Sequence, residues 1–426
     1  MRNTFYNDFD HAPREPSPPR GVAGDFRTPF QIDRDRVIHT SAFRRLQSKT
    51  QVFVSGEYDF YRTRLTHSIE VAQIGRSLCA RLRATEAALG EAHFIDPDLV
   101  EAACLAHDIG HPPFGHTGER TLHRLMKPWG GFEGNAQTLR MLTHTLFSER
   151  KGMNPSRGFM DAVLKYKTLH SELDDPPNHF VYADQRPEIA FVTGGADFPE
   201  DLPPGKARNA FRSIECQIMD WADDTAYSLN DVADGIKAGF IGLETLERWA
   251  AGAGLSDTDA VAVEFLLKAI RDDRVEGRLN RKIGEFIAAA RLADAGENFL
   301  APLSNRHRYR LEIDPAIAAQ RDLHKRLSLD LVFRSQQLQQ LDHKADYIVG
   351  RLFGAFADLY IARDRPGPGH FQLLPEDQER EVFAQDSEAA RARLVCDAIA
   401  RMTDSVAARV YRRLFDANFG SIVDLV

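Results

Sequence analysis

Few cysteines, no long apolar run and no excess of positive charge distinguish this sequence of 426 residues. Its four cysteines lie far apart and form no Cys-x-x-Cys pair, which excludes a disulfide framework and a thiolate zinc site and indicates a reducing, cytoplasmic compartment. No apolar run reaches the roughly 18 residues of a membrane span, and the opening residues lack the apolar segment of a secretory signal. With 54 basic and 62 acidic residues the net charge is −8, which argues against a dedicated duplex-DNA-binding protein.

The composition, 43% hydrophobic and 27% charged, is that of a globular chain with a sizeable core. Hydrophobic residues recur in steps of three and four, for example along 214–236 and 395–414, which predicts a mostly α-helical fold. Period-two alternation is scarce, and only the stretch 50–54 is a candidate for a short strand.

The distribution of proline and glycine divides the chain into regions. We expect an irregular N-terminal arm over 1–29, a helical domain over 30–240, and a helical C-terminal region over 241–426 that packs on this domain. Within the domain, residues 172–206 contain six prolines, which is typical of a lid, a binding loop or a disordered insertion.

Four of the fifteen histidines fall within 17 positions, and the first of them is followed directly by an aspartate. They are His107, His111, His116 and His123. A lone histidine on an apolar helix face is usually a core residue, but a cluster at a helix end, beside Asp108, favours a shared divalent cation. The missing ligands must come from other helices, and the candidates are His67 and either Asp223 or Asp224.

Five blocks in the same order as in a known family extend this pattern. They are residues 44–53 (RRLQSKTQVF), 62–68 (RTRLTHS), 107–116 (HDIGHPPFGH), 131–137 (GFEGNAQ) and 222–228 (ADDTAYS). The sequence resembles the dGTP triphosphohydrolase branch of the HD-domain metal phosphohydrolases from about residue 20 to 240, and again at 398–404. The resemblance implies an HD-domain helical bundle with additional C-terminal helices and little β-structure.

The resemblance also implies a metal site. Its ligands would be His67, His107, Asp108 and Asp223, whereas Asp224 would point away. Two imidazoles and two carboxylates suit Mn²⁺, Mg²⁺ or Fe²⁺.

Family enzymes release a deoxynucleoside and tripolyphosphate, so a 5′-oxygen must leave. His116 matches the family's catalytic histidine, Glu119 matches the acid that orients it, and one helical turn separates the two. His111 falls in the same loop, where it would contact a phosphate or a metal-bound water.

Substrate contacts are implied for six further residues: Gln51 at the sugar 3′-hydroxyl, Arg64, Lys165 and Tyr166 at the phosphates, Tyr227 under the deoxyribose, and Asp231 facing the sugar. A ring against the 2′ carbon would exclude ribose. Two positions depart from the family pattern: Lys167 stands where members often carry proline, and residues 402–407 read MTDSVA instead of Met-Thr-Asp-Arg-Tyr-Ala.

We therefore expect a cytoplasmic, metal-dependent dNTP triphosphohydrolase, with dGTP the favoured substrate by resemblance. The alternatives are another HD phosphohydrolase, either a 5′-nucleotidase or a phosphodiesterase, and a regulatory protein that binds nucleotides or single-stranded nucleic acid with little turnover. Base preference, the native metal and activation by a second dNTP stay open. A homo-oligomer is expected because family members are often oligomeric.

Overall fold

Helices make up most of the computed structural model, which describes residues 3–16, 25–52, 62–147 and 152–420. The prediction of a mostly α-helical fold with little β-structure is confirmed. No helix among these residues is both long and apolar enough to cross a membrane.

The N-terminal half contains eleven of the described α-helices. They are α1 (Asp8–His11), α2 (Pro29–His39), α3 (Ser41–Arg45), α4 (Arg64–Thr85), α5 (Pro97–Ala106), α6 (Gly115–Met126), α7 (Gly134–Arg140), α8 (Arg157–Val163), α9 (Arg186–Val192), α10 (Lys206–Ala210) and α11 (Ile214–Lys237).

The C-terminal half continues with eight helices and one hairpin of two strands. The helices are α12 (Leu243–Gly252), α13 (Asp257–Arg271), α14 (Val275–Ala288), α15 (Pro315–Ser328), α16 (Gln336–Phe356), α17 (Glu376–Phe383), α18 (Glu388–Ala400) and α19 (Asp404–Phe415). The strands are β1 (Ala290–Asp294) and β2 (Tyr309–Ile313).

The strands lie elsewhere than the sequence suggested. β1 and β2 pair in antiparallel register with Ala290 opposite Ile313, and sequence reasoning missed them because five-residue strands show little alternation. In the predicted stretch 50–54, Thr50 forms only an isolated antiparallel bridge with Thr63, and residues 53 and 54 lie outside the described residues.

Helices α4, α5 and α11 pack on one another in the main core. Each begins at a side-chain cap: Thr63, Asp96 and Ser213 accept hydrogen bonds from backbone N–H groups in the first turns of α4, α5 and α11. Their apolar faces are fully buried, which holds the polar residues beside those faces in fixed positions.

A second core joins α6 and α7 to α16 and α18. Leu122 and Met126 of α6 share this core with Val395 and Ile399 of α18, so the C-terminal helices pack directly on the histidine-rich segment. Residues Phe180–Tyr182 also pack into it, which anchors part of the proline-rich stretch 172–206.

Candidate active site

A cavity of about 510 Å³ opens between α4, α11, the loop before α6 and residues 165–179. Twelve predicted site residues line it: Gln51, Arg64, His67, His107, Asp108, His111, His116, Glu119, Lys165, Tyr166, Asp223 and Tyr227. The thirteenth, Asp231, is buried on α11, two turns beyond Asp223, and is not part of the cavity wall. The volume lies in the range of small-molecule sites.

The predicted metal ligands converge on one wall of the cavity. Asp223 Oδ1 lies 3.1 Å from His67 Nε2 and 3.6 Å from His107 Nε2. Asp108 Oδ1 lies 3.4 Å from the same His107 nitrogen. Ligand atoms that are roughly 2.0–2.4 Å from one ion lie about 3 Å apart when their bonds meet at right angles, so this group has the spacing of a metal site.

The ring of His107 is oriented for coordination. Cys104 O accepts a hydrogen bond from His107 Nδ1 at 2.6 Å, which assigns the proton of the neutral ring to Nδ1. His107 Nε2 is buried and has no hydrogen-bond partner within the described ranges. Burial opposes the charged ring, but Asp108 and Asp223 raise the pKa of His107 to about 9, so a metal ion would replace this proton.

Both carboxylates of this group are ionised. Although burial opposes ionisation, His107 and Lys165 hold the pKa of Asp223 well below its usual range. Neighbouring histidines and Arg64 do the same for the pKa of Asp108, which also accepts a hydrogen bond from Arg64 Nη1 at 2.5 Å. Two anionic carboxylates beside two imidazoles are a donor set for a hard divalent cation.

Asp224 also borders the cavity but does not join the histidines. It forms ion pairs with Arg321 and Lys325 of α15. Of the two aspartates that residue type alone left open, the structure therefore brings Asp223 to the histidines.

On an adjacent wall, His111, His116 and Glu119 form a second group, and His111 Nδ1 lies 3.2 Å from Asp108 Oδ1 of the first. Glu119 Oε2 lies 3.0 Å from His116 Nδ1, and Glu119 Oε1 accepts a hydrogen bond from Gly134 N at 2.7 Å. Burial opposes ionisation, but the hydrogen bond with His116 lowers the pKa of Glu119 to about 2. Burial and the nearby Arg64 lower the pKa of His111 to about 3, which keeps that ring neutral.

A tight turn positions this second group. Phe114 has a φ of +62° and Gly115 a φ of +58°, so the chain turns sharply before α6 begins. A Cβ at position 118 would lie 2.0 Å from Pro113 O, and only glycine allows the helix to approach the turn this closely. The turn places His116 in the first turn of α6.

One buried and one half-buried cation line the cavity beside these groups. Arg64 donates from Nε to Thr50 O at 2.9 Å as well as to Asp108, and its side chain is buried. Lys165 Nζ lies 2.7 Å from Asp220 Oδ1 and 3.5 Å from Asp223 Oδ2. The cavity therefore offers positive charge next to the predicted metal ligands, as a polyphosphate requires.

The predicted sugar contacts differ in what surrounds them. Tyr227 lines the cavity and its ring stacks on Phe333, with centroids 6.3 Å apart. Gln51 Oε1 is buried and unpaired within the part of the chain that the structure describes. Burial and the charge of Asp234 raise the pKa of Asp231 well above its usual range. Asp231 lies one helical turn beyond Tyr227 on α11.

The cavity also contains residues that sequence reasoning missed, among them Glu133, Asn135, His179 and Lys325. The ring of His179 stacks on Tyr166 with centroids 4.6 Å apart. The block 131–137 was a signal for Glu133, but nothing local in the sequence distinguishes the histidine within the proline-rich stretch.

Comparisons with known proteins identify two family models along the chain. The model of the HD domain matches residues 64–228, and that of the phosphohydrolase-associated domain matches residues 311–413. A deoxyguanosinetriphosphate triphosphohydrolase-like protein of Shewanella loihica is 37% identical over 94% of this chain and 96% of its own length. A protein of the same description from Brucella suis is 37% identical over 92% of this chain and 90% of its own length.

Proposed function

The chain belongs to the family of deoxyguanosinetriphosphate triphosphohydrolase-like proteins, and from this premise we propose that it is a metal-dependent dNTP triphosphohydrolase. The products would be a deoxynucleoside and tripolyphosphate, with dGTP the favoured substrate. One observation carries the proposal: a single cavity has a cluster of imidazoles and carboxylates on one wall and a histidine–carboxylate pair on the other.

The unpaired His107 Nε2 and the ionised Asp108 and Asp223 fit a divalent cation. His67, His107, Asp108 and Asp223 would hold it, and Mn²⁺, Mg²⁺ and Fe²⁺ all suit this donor set. When bound, such an ion polarises a phosphate oxygen and lowers the pKa of a coordinated water.

Arg64 and Lys165 would bind the phosphates. Arg64 is held by Thr50 O and Asp108, so its remaining donors keep a fixed direction toward the cavity. Lys165 adds a second charge beside Asp223. The two side chains would orient the α-phosphate between the two walls, which lowers the entropic cost of reaching the transition state.

His116 would donate the proton to the leaving 5′-oxygen. Its Nδ1 faces Glu119, so Nε2 is the nitrogen that can donate. Water attacks the α-phosphorus, the bond from phosphorus to the 5′-oxygen breaks, and His116 protonates this oxygen. The proton that the attacking water loses passes to solvent, from which His116 regains its proton. The carboxylate of Glu119 stabilises the charged imidazole of His116 before the proton is transferred. His111, which is neutral and buried, would contact the phosphate groups of the substrate.

Tyr227 would provide the selectivity for deoxyribose over ribose. One face of the ring stacks on Phe333, which supports the ring when a sugar approaches. Contact of this ring with the 2′ carbon would reject a 2′-hydroxyl sterically, and Gln51 would pair with the 3′-hydroxyl through its unpaired oxygen.

We place the reaction in the cytoplasm. All four cysteines are buried and free, as expected for a protein of a reducing compartment.

The test is to identify the products of each of the eight canonical NTPs and dNTPs with Mg²⁺ or Mn²⁺. We expect deoxynucleoside and tripolyphosphate from dNTPs, and little product from NTPs. In H₂¹⁸O, the label should enter tripolyphosphate and not the nucleoside, since attack occurs at phosphorus. Nucleoside monophosphate or free phosphate as product would favour another HD phosphohydrolase, and binding without products would favour a regulatory protein.

A further inference from the structure

The turn that carries the catalytic histidines is bound by a residue from the far end of the chain. Asp404, the first residue of α19, accepts a hydrogen bond from Phe114 N at 2.8 Å through Oδ1. Its other oxygen accepts from Thr50 N at 2.8 Å and from the Thr50 hydroxyl. One buried carboxylate therefore joins the turn between His111 and His116 to the segment that leads to Gln51.

A second contact joins the same three segments independently. The buried Lys49 Nζ donates to His111 O and, at 3.0 Å, to Ala400 O at the end of α18. The loop 111–114 is thus bound at both of its ends. Lys49 joins its first residue to the end of α18, and Asp404 at the start of α19 joins its last residue to Thr50.

This junction continues into the metal-binding wall. Thr50 O accepts from Arg64 Nε at 2.9 Å, and Arg64 Nη1 donates to Asp108. A displacement of Thr50 would therefore move the side chain that orients Asp108. The separation between the two walls depends on the position of Thr50 relative to Phe114, and Asp404 is bound to both.

We propose that Asp404 is a positioning residue of the active site, which sets the position of His116 relative to the metal-binding wall through Phe114 N and Thr50 N. The inference rests on the proposed function. It implies that the C-terminal region completes a site whose reacting groups all lie before residue 240.

An acidic residue in the first turn of a helix has a simpler explanation, a favourable interaction with the helix dipole. This interaction does not account for the contacts of Asp404. The cap of α19 is Thr403, whose hydroxyl oxygen accepts from Val406 N, so the helix start does not need Asp404 as a cap. Only a carboxylate offers acceptors to both backbone N–H groups, because an amide presents an NH₂ group to one of them.

The experiment compares Asp404→Asn with Asp257→Asn. Asp257 is also the first residue of its helix, α13, and also follows a side-chain cap, Ser256, but it is exposed. The control therefore makes the same change of charge in the same helix position. For each protein we would measure kcat and KM for dGTP, bound Mn²⁺ per chain, and Tm.

We expect Asp404→Asn to lower kcat by about 10- to 100-fold, the usual size of a small misplacement of reacting groups. KM and Mn²⁺ content should stay close to those of Asp257→Asn, whereas Tm should fall by a few degrees because the amide leaves a buried backbone N–H unsatisfied. A kcat equal to that of the control would overturn the proposal. So would a loss of Tm and Mn²⁺ with unchanged kcat per folded molecule, since the role would then be structural.

If Asp404→Asn does not fold, Thr50→Val decides. It removes one donor to the carboxylate, keeps the backbone contact, and should lower kcat roughly threefold to tenfold with KM unchanged. An unchanged kcat would contradict the inference. Failure of the proposed function is visible separately, because the parent protein would then release no tripolyphosphate.

Discussion

Two groups among the described residues each bring together two histidines and a carboxylate, and they differ in the exposure of one histidine. His67 and His107 lie on or at the end of helices of the main core, and their side chains are 3% and 4% exposed. His116 lies just after a strained turn, and its side chain is 61% exposed. Residue type alone therefore does not decide which group binds a metal.

The contacts of the ring nitrogens distinguish the two groups. In the first group a backbone carbonyl takes one nitrogen of His107, and the other faces two anionic carboxylates. In the second, Glu119 takes one nitrogen of His116 and the other faces the open cavity. The first arrangement suits a cation, and the second suits a proton that is delivered to substrate.

The largest effect should come from the first group. We expect Asp223→Asn to abolish stoichiometric Mn²⁺ binding and to lower kcat/KM by more than about 10³-fold, since the amide removes one anionic ligand. Asp224→Asn is the matched control for metal binding, because it makes the same change on the next residue of α11, whose carboxylate pairs with Arg321 and Lys325 and not with the histidines. Metal analysis and dGTP turnover check both. Equal loss of metal in the two variants would contradict the assignment of Asp223.

Substitutions in the second group should lower turnover without loss of the metal. We expect His116→Ala to keep its Mn²⁺ and its affinity for dGTP while kcat falls by about 10²–10⁴-fold, because the 5′-oxygen then leaves without a proton donor. Glu119→Gln should give a smaller loss. Single-turnover assays with metal analysis measure this. A folded, metal-containing His116→Ala protein with near-parental turnover would refute the assignment.

The same contrast explains what the sequence could predict. A cap at Asp96 and helix breakers at Gly110 and Pro112 predict a helix that ends directly after Asp108, and the structure ends α5 at Ala106, so that His107 and Asp108 follow it. The choice of Asp223 over Asp224 followed only from the resemblance, because both are polar positions beside an apolar face.

Contacts between distant segments could not be predicted in this way. The carboxylate of Asp404 meets Phe114 N across 290 positions, and no periodicity encodes such a pair. The hairpin of β1 and β2 is stabilised by packing of Leu292 and Leu311 on the main core rather than by a strong strand pattern. Tertiary packing decided both features.

The third largest effect concerns the selectivity for deoxyribose over ribose. Tyr227, to which we assign this selectivity, lies one turn beyond Asp223 on α11. We expect Tyr227→Ala to lower the dNTP/NTP ratio of kcat/KM roughly tenfold while Mn²⁺ binding is kept, because ribose would no longer meet a ring. Tyr227→Phe, which keeps the ring, should retain the selectivity. Equal losses on dGTP and GTP would mean that the tyrosine is only a core residue.

The smallest effect concerns a carboxyl group behind the second group of histidines. Glu133 is buried, and burial together with the charge of Glu119 raises its pKa to about 8, unlike the ionised carboxylates of the metal-binding wall. A carboxyl group with a raised pKa in the folded protein favours folding most below its unfolded pKa of about 4.3, and this contribution is lost as the pH rises to about 8.

The variant Glu133→Gln has an amide at this position, which cannot ionise. We therefore expect the Tm of the variant relative to the parent to rise by roughly 2–4 °C between pH 5 and pH 8.5. Glu297→Gln, at an exposed position, should show a constant difference. Thermal unfolding at several pH values measures this, and parallel curves for the parent and Glu133→Gln would show that Glu133 is ionised in the folded protein throughout the range.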